Sequence, residues 1–330
     1  MTSTHLTFGI YPLSPAGTPA GLAVGPEDDY GKIGGALREL RGASNMLSPR
    51  TYLVFTKPDA EPGLFSFADR LLRNGLLGDL TVGWHQMGEA DIDMDGWLAF
   101  IRKVVRKYGP HLSSLQITNE PNLSFMEGAK PYARKALVEG VVAAKREVIS
   151  SGLRVPIGFG SVPESSVSVP RFWEGLAQDG GKTFANSVDF VGHNFYVDVF
   201  DEKPLALSDI PAAVERPLRH LREKSLVAAG IPVTVPIRVT ENGWPTGQNP
   251  FTGHERTYEQ QANILEAVIR TVYRLRMELH ISHYILFGLR DADSGKPDLF
   301  HQFGILRDDY TPKPAFAVYQ RLIRELGRTH

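Results

Sequence analysis

The chain has 330 residues, 36 Lys and Arg against 37 Asp and Glu for a formal charge of −1, and no cysteine. Near-neutral charge with scattered basic residues argues against nucleic acid or an anionic membrane as the main partner, and the missing cysteines exclude disulfides, thiolate zinc sites, iron–sulfur clusters and a cysteine nucleophile. Hydrophobic residues at 42% and charged residues at 22% suit a globular protein, and no apolar run approaches the roughly 18 residues of a membrane span. The first basic residue is Lys32. A basic signal segment is therefore absent, and the expectation is a soluble cytoplasmic protein.

In chain order, eight short apolar runs read as strands: 6–11, 51–55, 80–84, 115–118, 155–159, 190–196, 237–240 and 284–289. Each is rich in Val, Ile, Phe or Tyr and too continuously apolar for a half-solvated strand, the pattern of parallel strands covered on both faces. Helical spacing appears between them. Trp97, Ile101, Val104 and Tyr108 share one face, and Gly109-Pro110 stops that helix. Leu137, Val141, Ala144 and Val148 repeat the stripe ahead of Gly152, which suits a left-handed cap. Leu265, Val268, Val272, Leu275 and Leu279 form another, opened by a capping box of Thr257 and Gln260. The last helix begins at Pro312–Pro314, carries Phe316, Tyr319, Ile323 and Leu326 inward, and ends at Gly327.

Strand and helix alternating without a linker predict an α/β fold, a single-domain (β/α)8 TIM barrel over 1–330, for which about 250 residues is typical. The surplus of roughly 80 residues falls to loops, with 12–27, 161–187 and 198–210 the longest. A doubly wound open sheet would want a Gly-rich phosphate turn after the first strand, where this chain has Pro12, Pro15 and Pro19.

Barrel chemistry forms at the C-terminal strand ends. The fourth strand runs out as Thr118-Asn119-Glu120-Pro121-Asn122 and the seventh as Thr240-Glu241-Asn242-Gly243-Trp244-Pro245. A glutamate thus stands at each end, and paired carboxylates flanking a bond are the apparatus of glycoside hydrolysis. Either glutamate alone reads more readily as a surface residue opening a loop, and it is the pair at matched positions that points to a site.

Asn119-Glu120-Pro121, together with Thr240-Glu241-Asn242-Gly243-Trp244, resembles clan A of the glycoside hydrolases, whose retaining barrels carry their catalytic glutamates on strands four and seven. His193-Asn194-Phe195-Tyr196 is similar to the clan's sixth strand, and Phe303-Gly304-Ile305-Leu306 through Thr311-Pro312-Lys313-Pro314 to its run into the last helix. Glu241-Asn242-Gly243-Trp244-Pro245 has some likeness to the family 17 β-1,3-glucanases and to the family 1 β-glucosidases. The resemblance implies Glu120 as acid/base, Glu241 as nucleophile, Asn119 on the sugar 2-hydroxyl and Tyr196 orienting the nucleophile. Many members carry a Trp platform at the end of strand eight. Here Phe287 holds that place, as a stacking surface or as a sign that the platform is missing.

Sugars also need aromatic faces and fixed polar groups, so Trp84, His85, Trp244 and Arg290 at or beyond strand ends are substrate-binding candidates, as are His193 and Asn194. For each the bland reading is packing. Arg50, entering the second strand, is a candidate for reaching the nucleophile. Asp91-Ile92-Asp93-Met94-Asp95-Gly96 matches half a calcium loop, but Arg102 occupies the twelfth position and the acids precede a helix, where capping explains them. No metal or cofactor is implied. The expected activity is retaining hydrolysis of β-linked glycosides or oligosaccharides, with carbohydrate rather than nucleic acid or membrane as the partner. The alternatives are a transglycosylase of the same clan, a catalytically degenerate carbohydrate-binding barrel, and a Schiff-base lyase on Lys57.

Overall fold

A computed structural model describes residues 5–18, 21–43, 45–56, 61–84, 92–202, 204–249 and 252–328. Eight parallel strands close into a barrel in sequence order: β1 (Thr7–Ile10), β2 (Leu47–Phe55), β3 (Asp79–Trp84), β4 (Ser114–Ile117), β5 (Ile157–Phe159), β6 (Phe190–Asn194), β7 (Ile237–Asn242) and β8 (Ile281–Leu286). The longer helices between and after them are α1 (Tyr30–Arg41), α2 (Glu61–Arg73), α3 (Met94–Tyr108), α4 (Ala133–Ser150), α5 (Phe172–Ala185), α6 (Ile210–His220), α7 (Tyr258–Leu275) and α8 (Pro314–Leu326). This is the expected (β/α)8 architecture. Among the described residues no helix is long and apolar enough to cross a membrane.

Strand limits differ from the sequence reading where polar residues interrupt the apolar run. β2 begins at Leu47 rather than 51, because Leu47, Ser48 and Pro49 pair with Phe8, Gly9 and Ile10. β8 begins at Ile281, its Ser282 and His283 only half-buried, and stops before Phe287. β6 ends at Asn194, which leaves Tyr196 in the following loop, whereas β7 runs on through Glu241 to Asn242. Two expected loops hold structure. Residues 12–27 contain an antiparallel pair, Ala16–Thr18 with Gly21–Ala23, and 161–187 contains α5. The stripe ending in Leu279 also outruns its helix, since α7 stops at Leu275.

Local chemistry explains the helix ends. The Thr257–Gln260 capping box opens α7 with both reciprocal bonds present. Asp29 caps α1 by accepting from the Gly31 and Lys32 amides. Gly152, at φ +65°, takes the left-handed position after α4.

Two compact units divide the chain: Met1–Pro49, Phe195–Arg216 and Val239–His330 form one, Arg50–Asn194 and Pro217–Arg238 the other. In the first, α8 packs on β1, with Tyr319 edge-on to Phe8 at 5.7 Å and its hydroxyl donating to the Gly9 carbonyl. Its buried Lys313 ammonium pairs with Asp291 at 2.8 Å and also donates to Thr246 Oγ1. In the second, Phe55 of β2 and Trp84 of β3 meet Trp97 and Phe100 of α3 in one aromatic cluster.

Candidate active site

At the end of β4, Thr118 adopts φ +62°. A β-branched residue in the left-handed region is strained, and such strain persists only where surroundings impose it. Here Gln116 Nε2 holds the Thr118 carbonyl at 2.9 Å. The turn aims two consecutive backbone amides, those of Asn119 and Glu120, at one oxygen of Glu127, at 2.6 and 3.1 Å. Glu127 is buried, and burial outweighs these two bonds to push its carboxyl up to about 7. Gly83 makes room for it, since a Cβ there would lie 2.7 Å from the other carboxylate oxygen. Gly160 is required in the same way, because a Cβ would meet the Asn119 carbonyl at 2.0 Å.

The side chains above this turn are tied together. Asn194, at the end of β6, donates its amide to Glu120 Oε1 at 3.0 Å and to Asn119 Oδ1 at 3.1 Å. Tyr52 donates to the same Asn119 oxygen at 3.1 Å. Successive residues of a strand point to opposite faces, so His193 turns away from this group. Its ring is buried beside Ser161 Oγ at 2.9 Å, and burial, aided by the charge of His220, holds its pKa down to about 3.

In the other unit, Tyr196 donates to Glu241 Oε1 at 2.5 Å. The backbone around this bond is fixed on both sides. The Phe195 amide donates to the Glu241 carbonyl, and Asn242 Nδ2 to the Phe195 carbonyl, at 3.1 and 2.7 Å. Tyr284 in turn donates to Asn242 Oδ1. The Tyr196 ring stands edge-on to Phe303 and Phe200, and half-buried Phe287 stands edge-on to Tyr11 and Phe303.

Glu120, Asn119 and Asn194 therefore come together in one unit, and Glu241 and Tyr196 in the other. Five further candidates sit instead in the packing. Trp84 is buried against Tyr132 and Trp97, with ring centroids 4.4 and 5.7 Å away. Trp244 is buried, its indole N–H on Asp198 Oδ1 at 2.7 Å. Arg290 spends its guanidinium on the Asp308 and Pro26 carbonyls, Ser14 Oγ and Asp28. His193 belongs to the same group. Arg50 lies in register with Asp79, the first residue of β3, and its guanidinium binds Asp79 and Gln116. Gln116 in turn holds the Thr118 carbonyl, so the guanidinium sits one side chain below the turn that ends β4. His85, Lys57 and Asp91 lie outside the described residues. Asp93 caps α3 through the Gly96 amide at 2.8 Å, as the capping reading had it.

Sequence reasoning missed Tyr52 and Glu127. Tyr52 reads as an ordinary strand residue, and Glu127 as a loop glutamate. The only sequence trace of the buried carboxylate is the small residue, Gly83, that accommodates it. Among the described residues no group of three or more His, Cys, Asp or Glu is placed to hold a metal.

No family model and no curated protein sequence matches the chain. Solved structures do. A family 1 β-glucosidase from Thermotoga maritima superposes with TM-score 0.65 at 15% identity over 98% of both chains. A β-1,3-glucanosyltransferase from Rhizomucor miehei, solved with laminaritriose, gives 0.55 at 14%, covering 96% of this chain and 97% of that one. A β-D-glucuronidase from Dictyoglomus thermophilum gives 0.60 at 14% over 99% of this chain, which spans about half (51%) of that longer protein. At such identities the shared feature is the barrel fold.

Proposed function

We propose that the chain is a retaining β-glycoside hydrolase of clan A, a single catalytic barrel with Glu120 as acid/base and Glu241 as nucleophile. The observation that carries this reading is that the glutamates at the ends of β4 and β7 each accept from a neutral donor, Asn194 on Glu120 and Tyr196 on Glu241. Surface glutamates opening loops have no need of such partners. The barrel and the glycosidases among its structural neighbours support the same reading.

The roles follow from the chemistry. Glu241 attacks the anomeric carbon while Glu120 protonates the departing oxygen, and loss of that proton leaves Glu120 a carboxylate able to activate water. The Tyr196 hydroxyl fixes the nucleophile's orientation and, as the covalent bond forms, no longer faces a full negative charge. Asn119, its carbonyl oxygen committed to Tyr52 and Asn194, presents its amide to the sugar 2-hydroxyl. Retention calls for carboxyl groups about 5–5.5 Å apart, inversion for about 6.5–9.5 Å.

Proton NMR of hydrolysis before mutarotation tests the mechanism. The β-anomer is expected first, with a 2-fluoro glycoside labelling Glu241. An initial α-anomer from a β-linked substrate overturns the double displacement.

A further inference from the structure

Phe200 is 50% exposed, an unfavourable place for a large apolar ring unless something covers it. Yet the loop that carries it is anchored on both sides. The buried Arg256 guanidinium donates to the Asp198 and Val199 carbonyls at 3.3 and 2.9 Å. The Asp198 carboxylate accepts from the Trp244 indole with one oxygen and from the Leu205 amide with the other, at 2.7 and 2.8 Å. Facing it, Phe300 rides on the short helical turn Leu299–His301, capped by Asp298, whose carboxylate accepts from the Phe300 amide and also binds His301. The two rings lie 6.3 Å apart, tilted by 32°, and Phe200 abuts Tyr196, the donor to Glu241. Two rigid backbones thus hold a pair of aromatic rings one ring beyond the nucleophile's partner.

We propose that Phe200 and Phe300 form a stacking subsite that takes a neutral pyranosyl unit of an oligosaccharide bound at Glu241. This deepens the hydrolase reading and rests on it for the substrate class. A ring fixed in advance binds a sugar face without ordering cost. Apolar C–H faces of pyranoses match such surfaces. The segments 198–203 and 293–301 carry five acidic side chains against two lysines, with Asp201 and Glu202 directly after Phe200 in sequence and Asp298 two positions before Phe300. That excess disfavours a uronate, whose carboxylate would meet like charge.

The test compares the unsubstituted protein with Phe200→Ala, Phe300→Ala, Phe200→Leu and Phe200→Trp. Calorimetry, in a Glu241→Gln background, measures binding of β-1,3- and β-1,4-linked glucose oligosaccharides and of a glucuronic acid oligosaccharide. In active protein, the readout is the ratio of kcat/KM for the longer oligosaccharides to that for a nitrophenyl β-glucoside. Each alanine should weaken neutral-oligosaccharide binding and lower that ratio by about 3- to 10-fold, the range of one aromatic stacking contact. Trp should restore both, Leu neither, and the glucuronic acid oligomer should bind more weakly than its neutral counterparts. Affinity untouched by both alanines, rescue by Leu, preference for the uronate, or no affinity for any oligosaccharide overturns the subsite. Because calorimetry needs no turnover, ring-dependent affinity without hydrolysis would sink the hydrolase reading alone. Hydrolysis with ring-independent affinity would sink the subsite alone.

Discussion

Replacing Glu127 by glutamine should make the protein's stability less sensitive to alkali. In the folded chain, burial pushes this carboxyl up to about 7 from an ordinary 4.5, against the opposing pull of the Asn119 and Glu120 amides. Between these values the folded state keeps a proton that the unfolded chain has released, so stability falls as pH rises through this window. At about 1.36 kcal/mol per pH unit, the whole gap is worth roughly 3 kcal/mol, of which about 2.5 kcal/mol falls between pH ~5 and pH ~8. Glutamine keeps an oxygen for both amides and has nothing to ionise, so it removes this dependence while preserving the turn. Denaturant unfolding of the two proteins side by side across that range gives the measurement. The unsubstituted protein should lose about 2.5 kcal/mol relative to Glu127→Gln on going from the acidic to the alkaline end. A difference that stays flat, or that grows in favour of the carboxylate with rising pH, would show that the amides outweigh burial and would refute the reasoning.

Two further outcomes follow from named contacts. Tyr196→Phe removes one hydroxyl from Glu241 and should lower kcat by roughly 10- to 1000-fold with the fold intact, as expected for losing a positioned donor; unchanged turnover of a β-glycoside would separate this hydrogen bond from catalysis. Asp79→Leu removes the carboxylate beside the buried guanidiniums of Arg50 and Arg238, and should cost about 3–5 kcal/mol in denaturant unfolding while the folded molecules keep their specific activity. Lost turnover at unchanged stability would return Arg50 to the substrate.

The order and type of the barrel strands, the stripes of α3, α4, α7 and α8, and the capping box at Thr257 were all legible along the chain. Each depends on periodicity or on partners within four residues, and local sequence carries that information. The places of Glu120 and Glu241 past β4 and in β7 were legible as a matched pair, since either glutamate alone reads as a surface residue opening a loop. What the tertiary structure decided is which neighbouring polar and aromatic residues reach those carboxylates. His193 and Asn194 are adjacent in sequence, yet strand alternation sends one ring against Ser161 and the other side chain to Glu120. Trp84 closes β3, and Trp244 and Arg290 follow strands, as a sugar-binding residue would, but the Trp97 and Tyr132 rings take up Trp84, and partners 46 positions away for Trp244 and as many as 276 for Arg290 claim their polar groups. Arg50 precedes its apolar run in sequence, and only the folded chain brings Asp79 and Gln116, 29 and 66 positions away, onto its guanidinium. Glu127 left almost no trace in the sequence. Its role depends on a left-handed Thr118 turning two amides toward it and on Gly83 leaving space, contacts that exist only once β3 and β4 lie side by side.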